Sequence, residues 1–217
     1  MQKSDQILIG IAVAVVAAVA FFILSTTDHA YSRPAEGAVI TLQDDPVQAA
    51  DSTTTLKPIT EGSLEHRLTV KAAYRLSGML VSKHRYRLGK MTRLAPWDYA
   101  VAWGKTIDWL PYLSFSQASR YCFFKYKLSS PVDRKYVESH MSNNHLIPAT
   151  PNLRRAFKLA KKRQPVMVEG YLVNVRTYRK DSETGIWNTS LIRDDIGQGA
   201  CEIIYVTRLQ LGDQIYE

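Results

Sequence analysis

The sequence predicts a mainly β (α+β) protein with an N-terminal transmembrane helix, a flexible tether and an antiparallel barrel-like head carrying one helix at about 151–163. Three observations predict it. Residues 7–25 read ILIGIAVAVVAAVAFFILS, 19 residues without a charge. After residue 70, six short runs are rich in β-branched and aromatic side chains, the composition of strands. Between the third and fourth of them, a single stretch repeats its apolar residues with helical spacing.

The apolar run is the first element. As a helix it spans about 28 Å, close to the hydrocarbon thickness of a bilayer. It lacks the polar stripe of a helix packed on a soluble core. A cleaved signal peptide is the competing reading, but the nearest small-residue site, Asp28-His29-Ala30, begins with a carboxylate. The expectation is an uncleaved anchor that survives a high-salt or carbonate wash. Lys3 and the terminal amine precede the run, and no cation follows until Arg33. That asymmetry predicts a cytoplasmic N-terminus and a periplasmic or otherwise extracytoplasmic head.

Three units follow: 1–25 as cytoplasmic start and anchor, 26–62 as tether, 63–217 as head. Charge separates them. Residues 1–62 hold three basic and seven acidic side chains, a net −4, and residues 63–217 hold 25 basic and 13 acidic, a net +12. An acidic stem thus carries a basic head, which draws anions such as nucleic acid, lipid head groups or acidic polymers. The tether is rich in Ser, Thr, Asp, Ala and Pro, a solvated composition. As a free coil, its 37 residues span roughly 30–35 Å. Within it, residues 38–42 read as a short strand able to dock on the head.

In the head, strand-like runs fall at residues 74–81, 99–103, 113–127, 166–175, 187–192 and 200–207. The second of these also suits a short helix. Asp194 and Asp195 lie in a loop joining the last two as a hairpin. The helix starts at Thr150, a good N-cap, with Pro151 in the first turn, and Pro165 ends it. Leu153, Phe157 and Ala160 form its apolar face. Arg154, Arg155, Lys158, Lys161 and Lys162 fill most of the rest, without acidic partners at i+4. These five are the expected anion- or partner-binding residues. The competing expectation is that Asp44, Asp45 or Asp51 of the tether folds over and neutralises them.

Three strands, a helix, a strand reading PVMVEGYLVNV and a closing hairpin resemble the order of an OB-fold, a five-stranded barrel with a helix between strands three and four. The resemblance covers roughly residues 70–207. The stretches SNNHLIPA, VEGYLVNV and GACEIIYV also resemble a class of bacterial membrane-anchored proteins. Neither resemblance implies an activity.

Candidate chemistry concentrates in residues 139–148. His140, Asn143, Asn144 and His145 place two imidazoles and two amides before the helix, types suited to a general base or a metal. His140 and His145 are five apart, which shares no helix face, and no cysteine or carboxylate pair completes a ligand set. No cofactor or metal is expected. Cys122 and Cys201 lie in different strand candidates; a disulfide between them and two separate buried thiols are both open. There is no Cys-x-x-Cys pair, P-loop, GxSxG or dinucleotide fingerprint. Basic and aromatic residues interleave at 83–90 and 120–127, a mixture found where barrels hold single strands.

These features point first to a non-enzymatic, membrane-tethered binding module of the cell envelope, docking a protein partner or an anionic envelope component. A nucleic-acid-binding module at the membrane is the second reading. An enzyme or metal site centred on residues 140–145 is the third.

Overall fold

The structure is a computed structural model that describes residues 29–89, 91–192 and 201–217. The expected anchor at 7–25 and the Asp194–Asp195 loop lie outside the described residues. Among the described residues, no helix is long and apolar enough to cross a membrane.

The chain is mainly β. Its order is β1 (Arg33–Pro34), β2 (Val47–Ala50), β3 (Ile59–Glu61), β4 (Leu64–Arg85), β5 (Trp97–Ala102), a 3-10 helix (Gly104–Tyr112), β6 (Ser114–Ala118), β7 (Tyr121–Lys125), α1 (Arg134–Ser139), β8 (Met141–Pro148), α2 (Pro151–Ala156), β9 (Pro165–Arg179), β10 (Ser182–Trp187), β11 (Glu202–Leu211) and β12 (Gln214–Tyr216). β4 is 22 residues long and serves two neighbours. It pairs with β9 over Leu64–Met79 and with β5 over Met79–Arg85. Register shifts at Val70/Ala72 and Leu80/Ser82 let it bend between them.

The pairings β4–β5, β5–β8, β8–β11, β11–β9 and β9–β4 form a closed circuit. Four are antiparallel and β8–β11 is parallel, so the sheet is mixed rather than antiparallel throughout, as the sequence had suggested. The reason is topological: five strands are an odd number and cannot alternate direction all round a closed ring. The parallel seam demands a crossover, which α2, β9 and β10 supply.

The main core joins all five ring strands: Leu76, Tyr99, Leu146, Leu172 and Ile204 are fully buried in one cluster with Leu153 and Phe157. Phe157 sets its ring edge-on to Tyr99, 6.1 Å between centroids. A second cluster gathers Leu68, Val70, Leu94, Ile147, Val175 and Ile203.

Several elements differ from the sequence expectation. The helix does not run to 163. Thr150 caps it by accepting from the Leu153 amide, and Pro151 occupies its first turn, but the α-helix ends at Ala156. Lys158 and Leu159 then donate to carbonyls three residues back, and Arg163 turns to φ +62°. The apolar spacing read from Leu153, Phe157 and Ala160 persists because the tight turns keep all three buried. The run at 113–127 is a hairpin, β6–β7, not one strand. Its turn residues Ser119 and Arg120 both have positive φ, +51° and +69°, the twist that short hairpins need. Neither is Gly or Asn, so the turn carried no sequence signal. Of the polar stretch 139–148, Ser139 ends α1 and Met141–Pro148 form β8 between β5 and β11.

The acidic N-terminal stretch pairs with the head through three strands: β1 with β12, and β2 and β3 both with β4. The strand expected at 38–42 is absent. β2 makes that edge contact instead, while the Leu42 carbonyl accepts from the Gly104 amide.

Candidate functional site

A cleft of about 1100 Å³ opens between the loop after β4, the tip of the β6–β7 hairpin, β10 and the β3–β4 turn. The two basic-aromatic runs meet here: Tyr86 comes from the first and Arg120 from the second. The Arg120 guanidinium carbon lies 4.1 Å from the Tyr86 ring centroid and 5.5 Å from that of Trp187 on β10. The Arg120 amide donates to the Tyr86 hydroxyl (2.9 Å), and one guanidinium nitrogen donates to the Ala95 carbonyl (2.9 Å) and to Asp98 Oδ1 (2.8 Å). The positive φ of Arg120 turns the hairpin tip so that its amide and guanidinium reach this one spot.

Beneath Arg120, Asp98 on β5 is fully buried. Its Oδ1 is also 2.9 Å from His145 Nδ1 on the neighbouring strand β8, directly opposite in register. That second contact is close but is not an aligned hydrogen bond. The His145 ring lies under Trp187, 4.7 Å between centroids. Burial, and then the Asp98 charge, push the Tyr86 phenol up to about 12, so it stays neutral at physiological pH.

Asn143, two residues from His145 and on the same face of β8, fixes the hairpin from below. It donates to the Arg120 carbonyl (2.8 Å) and accepts from Gln117 (2.7 Å). Of the four residues singled out in the sequence, His145 and Asn143 therefore converge on Arg120. Asn144 points to the opposite face and bonds the Tyr99 carbonyl and Ser142. His140 lies at the start of the strand, about 16 Å away by strand rise. It stacks flat on Tyr136 at 3.7 Å and faces Asp45 at 3.9 Å.

A second buried imidazole approaches the cleft from β4. His66 sits between Thr177 Oγ1 (2.9 Å) and Glu61 (3.4 Å), and Glu61 lines the cleft. The lining thus holds three guanidinium groups, from Arg93, Arg120 and Arg179, against the Glu61 carboxylate. Asp98 already compensates Arg120, which leaves exposed Arg93 and Arg179 as the cations open to a ligand. Leu88 and Ile186 stand on the two lips, 90% and 55% exposed. Among the described residues, no group of three or more His, Cys, Asp or Glu side chains could hold a metal ion.

Sequence reasoning missed Asp98, Tyr86 and Trp187 as partners. Asp98 carried one signal: it is a carboxylate amid an apolar strand run, and a buried charge demands a partner.

Cys122 and Cys201 are both present as thiols and line a separate depression of about 720 Å³ beside Phe123 and Leu128. Burial, then the neighbouring Cys201, push the Cys122 thiol up to about 12, which leaves it protonated and a poor nucleophile.

The cations of α2 and its following turns are exposed at Arg154, Lys158, Lys161 and Lys162, and half-buried at Arg155. The tether carboxylates do not neutralise them through Asp45 or Asp51. Asp45 accepts from Trp103 Nε1 at 2.8 Å. Asp51 closes a turn with Thr53 and Thr54, and those hydrogen bonds, led by the Thr54 hydroxyl, hold it down at about 2. Lys83 reaches under the turn to the Lys158 and Ala160 carbonyls; burial first, and the like charge of Lys162 second, lower its pKa.

No family model, curated protein or solved structure matches this chain.

Proposed function

We propose that the protein is a membrane-tethered, non-enzymatic binding module of the cell envelope, with an OB-type barrel as its head. In this reading residues 7–25 anchor it, the N-terminus is cytoplasmic, and the head faces outward. The barrel assignment draws support from the strand circuit: β4, β5, β8, β9 and β11 take the places of strands one to five, and α2 lies between three and four. OB barrels hold extended ligands between the loop joining strands one and two and the loop joining four and five. The cleft around Arg120 lies between the equivalents, residues 86–96 and the β10 hairpin.

The observation that carries the reading is the Arg120 guanidinium between Tyr86 and Trp187, with Arg93 and Arg179 alongside. It suits an extended anionic ligand, such as an acidic segment of a protein partner or an anionic envelope polymer. Docking is favoured over catalysis because Asp98 is held by Arg120, His145 packs against Asp98 and Trp187, and neither lines the cleft. Single-stranded nucleic acid is the second reading, favoured by two aromatic rings in the same cleft.

The test uses the full chain in neutral nanodiscs, titrated with a fluorescent polyglutamate peptide and with a single-stranded oligonucleotide. The account expects binding that weakens about tenfold or more between about 50 and 200 mM salt. The joint substitution Arg93→Gln, Arg179→Gln should weaken it about tenfold or more, since each removes a charge-assisted contact. Tighter binding of the oligonucleotide selects the second reading. If neither probe binds, or the double variant binds like wild type, the cleft is not the docking site.

A further inference from the structure

We propose that the cationic surface of α2 and its following turns rests on anionic phospholipid head groups of the bilayer that carries the anchor. The inference builds on the membrane-anchored reading but concerns a surface apart from the Arg120 cleft.

The first observation is where the described chain begins. Ala30 packs against the main core. The Tyr31 amide donates to Asn152 Oδ1 (2.7 Å), and Asn152 Nδ2 donates back to the Tyr31 carbonyl (2.8 Å) and to the Glu217 carbonyl (3.0 Å). Arg33 and Pro34 then pair with β12, and the Ala35 amide donates to the Asp213 carbonyl. Residues 30–35 are therefore strapped to the head beside the first turn of α2.

The second observation is length. If the anchor ends at Ser25, only three residues separate it from His29, four chain steps that reach at most about 14 Å. A free 37-residue tether would let the head wander; this strap brings one side of it to the membrane. That side is the one bearing α2. From Asn152 to Ala156 the helix advances only about 6 Å, and tight turns through Lys158 and Leu159 carry the chain on to Lys162, so the cations begin beside the strap.

The third observation is charge. Arg154, Lys158, Lys161, Lys162 and Arg163 are exposed, and Leu159 among them is 41% exposed. Cations around one exposed apolar side chain match the layered chemistry of a lipid surface, with phosphate outside and acyl chain within. The Glu217 carboxylate, whose backbone carbonyl joins the strap through Asn152, is paired with Arg33 at 3.0 Å. Among the described residues, the ion pairs of Arg and Lys with carboxylates involve Arg33, Arg67, Arg120, Arg134, Arg176 and Arg208, and none takes Arg154, Arg155, Lys161 or Lys162. Each Lys or Arg near an anionic leaflet strengthens attachment about fivefold, and the pull fades within a Debye length of about 8–10 Å. A head strapped this close lies at the edge of that range, whereas a loosely tethered head would spend most of its time beyond it.

The experiment inserts the full chain into nanodiscs of phosphatidylcholine alone or with phosphatidylglycerol added. Lysines are acetylated with an amine-reactive ester, and the rates are read by mass spectrometry. The proposal expects Lys161 and Lys162 to react severalfold more slowly in the anionic discs, while Lys105 and Lys180 are unchanged. High salt should restore the rates. The substitutions Arg154→Gln and Lys158→Gln together should reduce the protection of Lys162, with an unchanged melting temperature as the check on folding. Equal rates at Lys161 and Lys162 in the two discs contradict the lipid face while leaving the anchor standing. A chain that fails to enter either disc contradicts the anchor itself, and the proposal falls with it because the strap then fixes no distance to a bilayer.

Discussion

Replacing Gly170 with alanine is expected to remove a large share of the protein's stability. Gly170 lies on β9 where it faces Val206 of β11 on one side and Tyr74 of β4 on the other. A Cβ added there would sit 2.0 Å from the Tyr205 carbonyl oxygen, 2.9 Å from its carbon and 3.0 Å from the Val206 Cα. All three are backbone atoms of the facing strand, so no side chain can swing aside. The strands must separate, and β9–β11 is one of the five pairings that close the ring. Overpacking in a well-packed interior costs about 1–3 kcal/mol even where side chains can adjust. Here the cost should be about 3 kcal/mol or more, a large share of the 5–15 kcal/mol that holds a typical domain together. Gly185 is the internal control: its added Cβ would meet nothing closer than the Thr177 Cβ at 3.9 Å, and Gly185→Ala should shift stability by less than about 0.5 kcal/mol. Urea unfolding followed by circular dichroism measures both. Equal midpoints for the two variants would mean that β9 and β11 do not close against each other as described.

Removing the Asp98 carboxylate should be nearly as damaging. Asp98 is fully buried, and its Oδ1 serves both Arg120 and His145. Truncating one partner of a buried ion pair leaves the other charge in a low-dielectric setting without compensation, at a cost of about 3–5 kcal/mol. Asp98→Ala should lose that amount. Asp98→Asn keeps the shape and an acceptor for the Arg120 nitrogen but drops the charge, so it should lose about 1–3 kcal/mol. The consequence reaches the cleft. Without Asp98 the guanidinium keeps the Ala95 carbonyl and the two rings but loses its fixed orientation, so ligand affinity should fall along with stability. Unfolding midpoints of both variants within about 0.5 kcal/mol of wild type would contradict a structural role for the Asp98–Arg120 pair.

Much of the fold could be read locally. The strands at 74–81, 166–175 and 200–207 and the capped start at Thr150 rest on periodicity and capping, which neighbours in sequence decide. What escaped was set by distant partners. The end of α2 at Ala156 depends on Lys83 and Gln164 taking up the later carbonyls and amides, at Lys158, Ala160 and Lys161. The β6–β7 hairpin turns on Ser119 and Arg120 with positive φ, a conformation those residues adopt here because Asn143 and Tyr86 hold the tip. Asn and His favour turns, yet around His145 they lie in β8, with the Asn143 and Asn144 amides bonded to Arg120, Gln117, Tyr99 and Ser142. The site suffered most from this. Its ring, cation and carboxylate come from residues 86, 98, 120 and 187, and nothing in their spacing reveals that they meet.

The most direct test of the account is a hydroxyl-radical footprint of the full chain in neutral nanodiscs, with and without the tighter-binding of the two polyanionic probes. Oxidation should fall at Tyr86, Leu88, Met91, Ile186 and Trp187, which surround the Arg120 cleft, while Phe123 and Leu128 of the cysteine-lined depression stay unchanged. Protection at Phe123 and Leu128, with no change around Tyr86 and Trp187, would contradict the assignment of the cleft as the docking site.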